Sequence, residues 1–322
     1  MIKNITFIVP LLILSCNSSH AFVTSLHSSQ GRSLGLFATP SSDAISTLDA
    51  SQKMSVSSII SAIPELAHKP DLSWNDGAAQ IANFPATLAA YDAPGKGNVA
   101  WMCDLCVSST VSSLTIFNGP LTTVPHLLSR CCVLNNGNDL SFDLDLRPRA
   151  YGAYEMVDAA GNYPGPETLG RQAFEYSGAR KDFQSNFYTD EFESFVQNTL
   201  ASLQGATMNT GMDGLSETEQ LTRGPLAVSV TMPLTVGNVA AVAAARERAA
   251  SYWLGWALDV DAHGHRPGAP VNTQYVYDTK FKLNAYGALL NTYNTILGPN
   301  DGATLAAAES GPLDEGYVGG GS

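Results

Sequence analysis

Between residues 139 and 147 the chain alternates without a break. Leu140, Phe142, Leu144 and Leu146 are interleaved with Ser141, Asp143, Asp145 and Arg147. A period of two sends successive side chains to opposite faces of a strand. The segment is therefore a strand with one apolar face to bury and one charged face to place. The same period governs the whole stretch from 99 to 146. Asn118-Gly119-Pro120 and Asn135-Asn136-Gly137-Asn138 punctuate it as turns. Four strands joined by short turns predict an antiparallel sheet. On the charged face of the last strand, Asp143 and Asp145 share a side with Arg147. That face is either solvated and ion-paired or the wall of a ligand pocket.

Helical patterns flank the strands. They occupy 55–67 and 75–91, with Asn75-Asp76 as a cap and Pro64 and Pro85 as interruptions. After a Gly-, Pro- and Tyr-rich connection over 150–182, Thr189-Asp190-Glu191 opens a helix towards Leu203, with Phe192, Phe195, Val196 and Leu200 along one face. Residues 226–232 read as a fifth strand. A long helix follows from Thr235 to about Asp261, and a final one from about Asp278 to Leu297, stopped by Gly298-Pro299. The tail, 299–322, is expected to be disordered. With 44% hydrophobic and 14% charged residues the chain has ample core material, which excludes wholesale disorder. Strands between runs of helices make the fold α+β, one sheet covered by helices.

Residues 1–42 contain no Asp or Glu. Lys3, the apolar run Phe7–Leu14 and the small residues before Ala21 predict a signal peptide over 1–21. The run is far short of the roughly 20 residues that span a bilayer. The Ser-rich, acid-free segment 22–42 is transit-like. The two in series are similar to the bipartite presequences of plastids derived from a red alga, so the expected destination is the plastid stroma; simple secretion is the alternative. Losing Lys3 and Arg32 leaves 15 basic against 29 acidic residues in a domain predicted over 43–298. So acidic a chain lacks the dense cationic face that nucleic acid or an anionic membrane requires.

Few motifs carry chemistry. There is no phosphate loop at Gly95-Lys96-Gly97, no dinucleotide fingerprint and no nucleophile elbow. Cys103-x-x-Cys106 and Cys131-Cys132 fall in strands, where core packing outweighs a zinc or redox role. His263-x-His265 with Asp259 and Asp261 is either a small metal site or an exposed loop, the loop being favoured by composition.

Asp145-Leu146-Arg147-Pro148-Arg149 ends a strand and is followed by Lys181-Asp182-Phe183-Gln184-Ser185-Asn186-Phe187-Tyr188. Arg223-Gly224-Pro225 then precedes the fifth strand, and Tyr252-Trp253-Leu254-Gly255-Trp256-Ala257-Leu258-Asp259 closes the long helix. This succession, over about 99–261, resembles the red chlorophyll catabolite reductases, which group with the ferredoxin-dependent bilin reductases. The resemblance implies an α/β/α sandwich, with a central, mainly antiparallel sheet covered on both faces. It implies reduction of an open-chain tetrapyrrole with electrons from ferredoxin and no bound flavin or metal. Protons would come from His126 and Asp259. Arg147, Arg149 and Arg223 would hold carboxylates, with Asp145 and Trp256 also in the pocket; core packing is the alternative for Trp253 and Trp256. The family's strand carboxylate is missing, because residues 105–138 contain no acid and Arg130 stands near its place. The alternative function is non-catalytic tetrapyrrole binding. Ferredoxin is acidic and needs a basic patch, for which Arg147, Arg149, Arg171, Arg180 and Lys181 form the densest cluster.

Overall fold

The computed structural model describes residues 41–93, 99–147, 186–209, 223–263 and 271–312. The predicted presequence up to residue 40, the connection over 148–185 with Arg149, Arg171, Arg180 and Lys181, the Gly95-Lys96-Gly97 turn and His265 lie outside the described residues.

A helix, α1 (Ser41–Ala62), leads into the sheet strands β1 (Ala67–His68), β2 (Trp74–Ile81), β3 (Phe84–Asp92), β4 (Trp101–Val107), β5 (Val111–Phe117), β6 (His126–Leu134) and β7 (Asp139–Arg147). Then come α2 (Asp190–Ser202), β8 (Thr207–Met208), β9 (Val228–Pro233), α3 (Val236–Leu258), the short α4 (Val260–His263), α5 (Val271–Leu297) and α6 (Pro299–Ser310). The strands form one antiparallel sheet in the order β1-β3-β4-β5-β6-β7-β9-β8, with β2 beside β3 on the edge that β1 continues. Strands β3 to β7 are a meander of sequential hairpins, and β9 returns alongside β7.

Side-chain alternation splits the interior into two cores. Leu127, Phe142, Leu144, Leu146, Val230 and Met232 join α1 and α3 in one. Trp101, Cys103, Leu105, Cys132 and Phe117 join Phe281, Leu289 and Tyr293 of α5 and Leu305 of α6 in the other. The result is an α/β/α sandwich, α+β in class, as the strand and helix patterns imply. Covering both faces explains why β5 is buried at every position. The cysteines obey the same alternation: Cys131 and Cys132 are buried on opposite faces. Cys103 likewise faces one core while Cys106 packs against the other, so neither pair converges on one centre.

Two expectations fail. Residues 75–91 are not helical; they belong to the β2–β3 hairpin, which reverses at Ala82 and Asn83 with φ of 49° and 68°. The alanines that suggest helix (Ala86, Ala90) are buried with Leu88 at every second position against β4. Strand pairing overrides intrinsic propensity there. The tail is also more structured than predicted. Gly298, at φ 84°, ends α5, and Pro299 starts α6 as its first residue. Leu305, Ala306, Glu309 and Ser310 of α6 are buried, and Trp101 Nε1 donates to Glu309 O at 3.0 Å. No helix among the described residues is long and apolar enough to cross a membrane.

Candidate active site

The charged side of β7 does not face solvent. Together with β6 and β9 it forms one wall of a cavity of about 440 Å³, and α5 forms the other with Ala285, Ala288, Leu289 and Thr292. The volume is in the range of small-molecule sites, about 300–1,000 Å³. The space exists because the sheet supplies Ser141, Asp143, Ser229 and Thr231 where a core would have large apolar residues, while α5 answers with two alanines and two threonines beside Leu289 and Ile296. Asn209 spans one end, donating to Ser229 Oγ at 3.2 Å and accepting from Thr231 Oγ1 at 2.6 Å.

Two groups on this wall carry exchangeable protons. His126, the first residue of β6, is buried. Its Nδ1 accepts the Asn118 backbone N–H at 2.9 Å, which fixes the neutral ring in the tautomer with its proton on Nε2. Phe281 and Phe117 hold the ring, with centroids 4.4 Å and 5.5 Å away. Asp145 is diagonal to it across the ladder, since His126 pairs with Arg147 and Leu128 with Asp145. Such diagonal neighbours lie about 7–8 Å apart. Burial pushes the Asp145 carboxyl above the ordinary range; Arg147, Arg223 and the Gly224 N–H act in the opposite sense. Arg147 Nε donates to Asp145 at 3.0 Å and the Gly224 N–H does the same at 3.0 Å. A side chain at residue 224 would be driven into Asp145 Oδ1, the Tyr188 hydroxyl and Leu146 O. That is why glycine follows Arg223.

A second polar cluster lies on the same wall. Arg130 Nη2 donates to Asp143 at 3.1 Å, and Asp143 also accepts from Ser229 Oγ at 2.6 Å. Behind Arg130, its guanidinium carbon lies 5.5 Å from the centroid of the Tyr293 ring. The Tyr293 hydroxyl donates to Glu309, whose other oxygen accepts from Ser113 at 2.8 Å and Thr115 at 2.6 Å. Burial opposes the Arg130 charge, but Asp143, Tyr293 and Glu309 outweigh it, and its pKa stays above the ordinary value. Burial, then the Glu309 charge, pushes the Tyr293 phenol well up. Burial also lifts the Cys132 thiol, which lines the cavity, to about 12, so it is no nucleophile.

The structure brings together His126, Asp145, Arg147 and Arg223, all on the cavity wall. It does not bring Trp256 or Asp259 there, because α3 covers the opposite face of the sheet. Trp256 packs on Phe187 and Phe192, with centroids 5.0 Å and 5.6 Å away. Asp259 is the exposed C-cap of α3 and accepts the Ala262 N–H at 3.1 Å. Arg149 lies outside the described residues. His263 packs tilted against Phe187 with centroids 4.6 Å apart, and among the described residues no group of three His, Cys, Asp or Glu could hold a metal ion. Arg147 is spent on Asp145 and only slightly exposed, so it offers little to a docking patch. The residues that sequence reasoning passed over are Ser229 and the pair Tyr293 and Glu309. The period-two spacing of His126, Leu128, Arg130 and Cys132 was the signal for placing Arg130 beside His126. For Tyr293 and Glu309 no signal exists, since only the packing of α6 brings them to β5.

An α/β/α sandwich with an internal, arginine-lined cavity is thus the class that fold and site define. No family model matches the chain, and no curated protein matches it. Among solved structures it is similar to the selenomethionine form of phytochromobilin synthase from tomato, in complex with biliverdin. The TM-score is 0.48 and the identity 11%, covering 80% of this chain and 82% of that one.

Proposed function

We propose that this cavity binds an open-chain tetrapyrrole and that the protein is a ferredoxin-dependent reductase of the red chlorophyll catabolite reductase type. The observation that carries the reading is the cavity wall itself: a buried neutral imidazole, a buried carboxyl with a raised pKa and three arginines face one space. Single-electron reduction of a conjugated ligand makes it basic, and protons must then come from groups already in place. His126 through Nε2 is the donor this wall provides, with Asp145, whose pKa burial raises, as the carboxyl beside it; Asp259 is too remote to serve. The motif run from Asp145 to Arg149 and the Arg223-Gly224-Pro225 corner, on which the resemblance rests, meet at Asp145.

A second reading, a tetrapyrrole-binding protein without turnover, is favoured by one observation. The strand that carries a carboxylate in the family carries Arg130 here, which stabilises anions and gives up no proton. Anaerobic incubation with reduced ferredoxin and biliverdin or red chlorophyll catabolite separates the two. Loss of the ligand's long-wavelength absorbance with a stoichiometric product supports the reductase; a spectral shift without reduction assigns the binder; no shift with any open-chain tetrapyrrole removes both. The destination we propose is the plastid stroma, and a fluorescent reporter fused after residue 45 tests it: export from the cell would refute it.

A further inference from the structure

We propose that Arg130 is a carboxylate anchor on the sheet wall of the cavity, so that the ligand is held with an acid group directed at β6. The choice of a tetrapyrrole as its bearer rests on the preceding reading; the anchor rests on Arg130 alone.

Arg130 is 7% exposed and lines the cavity. Of its five N–H donors, the Nη2 group reaches Asp143, while Nε and Nη1 are buried and have no hydrogen-bond partner among the described residues. Native structures leave few buried donors unpaired, and donors on a charged guanidinium are the costliest to leave so. Three features prevent the side chain from turning elsewhere. Asp143 grips one nitrogen and is itself gripped by Ser229. The Tyr293 ring backs the guanidinium, and Tyr293 is held by Glu309. The remaining donors stay fixed, buried and unpaired, on a side chain that lines the cavity, which is how a preorganised anion site is built.

Charge points the same way. Three arginines (Arg130, Arg147, Arg223) face the cavity against two aspartates, Asp143 and Asp145, in a chain with a formal charge of −12. An acidic protein that keeps a cationic excess on the wall of this cavity is suited to an anionic ligand. Arg147 and Arg223 are both committed to Asp145 by contact or charge. Arg130 has two buried nitrogens still to be satisfied.

The test compares biliverdin with its dimethyl ester in absorbance titrations of the full chain. Removing one charge-assisted partner should weaken binding by about tenfold to a hundredfold. Arg130→Gln is expected to do so for biliverdin and to leave the ester unchanged, with Arg130→Lys in between. In parallel, propionate is titrated against the Arg130 Nε–H resonance of the wild-type protein, assigned by its loss in Arg130→Lys. A saturable shift is expected, which keeps the test decisive if Arg130→Gln fails to fold. Equal weakening of acid and ester, or of neither, overturns the anchor while the tetrapyrrole reading stands. If neither form of biliverdin binds but propionate shifts Nε–H, the anchor stands and the tetrapyrrole reading falls. If neither biliverdin nor propionate moves that resonance, the anchor is wrong.

Discussion

The two faces of strands β6 and β7 use the same backbone for opposite ends. Each buries an arginine, and the two arginines show what separates a core from a site. On the α1/α3 face, Arg246 reaches from α3 to the sheet; Nε donates to Ser129 at 2.9 Å, and Nη1 to Ser112 at 2.9 Å and Leu48 O at 3.4 Å. The same face carries the core of Phe142, Leu144 and Trp253. On the α5/α6 face, Arg130 comes from the sheet, has a single carboxylate partner and faces small residues on the helix. Buried charge is common to both, and so is an unpaired buried donor, Nη2 on Arg246 and Nε and Nη1 on Arg130, so neither marks function by itself. The difference lies in volume: Arg130 borders a cavity of about 440 Å³, whereas Arg246 is held between α3 and the sheet by Ser129, Ser112 and Leu48.

The largest test of this contrast uses neighbours on β7. Phe142 is fully buried in the α1/α3 core, so Phe142→Ala should cost about 3–5 kcal/mol by urea unfolding. Ser141→Ala, one residue away on the cavity side, should cost far less. Equal losses would mean that the cavity face is as tightly constrained as the core. Smaller, but more specific, is a pair of volume additions. Ala249→Leu enters a fully buried position on the core face and should cost about 1–3 kcal/mol by overpacking. Ala288→Leu projects from α5 into the cavity. It should change stability by no more than about 0.5 kcal/mol and abolish the absorbance shift with biliverdin. A large loss of stability at residue 288, with binding retained, would show that the space is not a site.

How much of this could be read from the chain depends on how local the cause is. The alternation from Leu140 to Arg147 is a property of one strand, and it correctly separates the core residues from the charged ones. What it leaves open, solvent or pocket, is decided by α5, about 140 residues later in the chain. Trp256 fails as a pocket residue for the same reason: a helix that closes a motif in sequence can cover either face of a sheet. The β2–β3 hairpin is missed because its alanines have helical propensity and their strand pairing with β4 is tertiary. Glu309 is out of reach of sequence reasoning altogether, since an acid in an alanine-rich terminal helix has every local appearance of a solvated residue. Its three hydroxyl partners come from β5 and α5.

That last network supplies the next test. Tyr293→Phe removes one donor from buried Glu309 and leaves the ring behind Arg130 in place. An unsatisfied buried acceptor costs about 1–3 kcal/mol. Stability should therefore drop while the acid-over-ester preference for biliverdin persists. A lost preference with unchanged stability would instead put the hydroxyl, and not the ring, in control of Arg130.

The smallest effect is one of pH, and it reads the cavity's charge directly. Burial raises the Asp145 pKa above the ordinary value, against Arg147, Arg223 and the Gly224 N–H. The folded chain then holds this proton more tightly than the unfolded one. Below about pH 4, where both states are protonated, its contribution is fully favourable. As pH rises, the unfolded chain ionises first, and the contribution is lost progressively until the folded carboxyl has ionised too. Wild-type stability relative to Asp145→Asn should thus fall with rising pH across that window and be flat above it. Asp104, on the core face, is also raised by burial, with Gln52 as the main opposing partner, so Asp104→Asn should show the same sign. Ligand is what separates the two. A carboxylate held at Arg130 adds negative charge to the cavity of Asp145 and not to the surroundings of Asp104. Saturating biliverdin should therefore extend the Asp145 window to higher pH and leave that of Asp104 where it was. Equal movement of both windows would mean that ligand acts on the whole fold, and the contrast between the faces would fail.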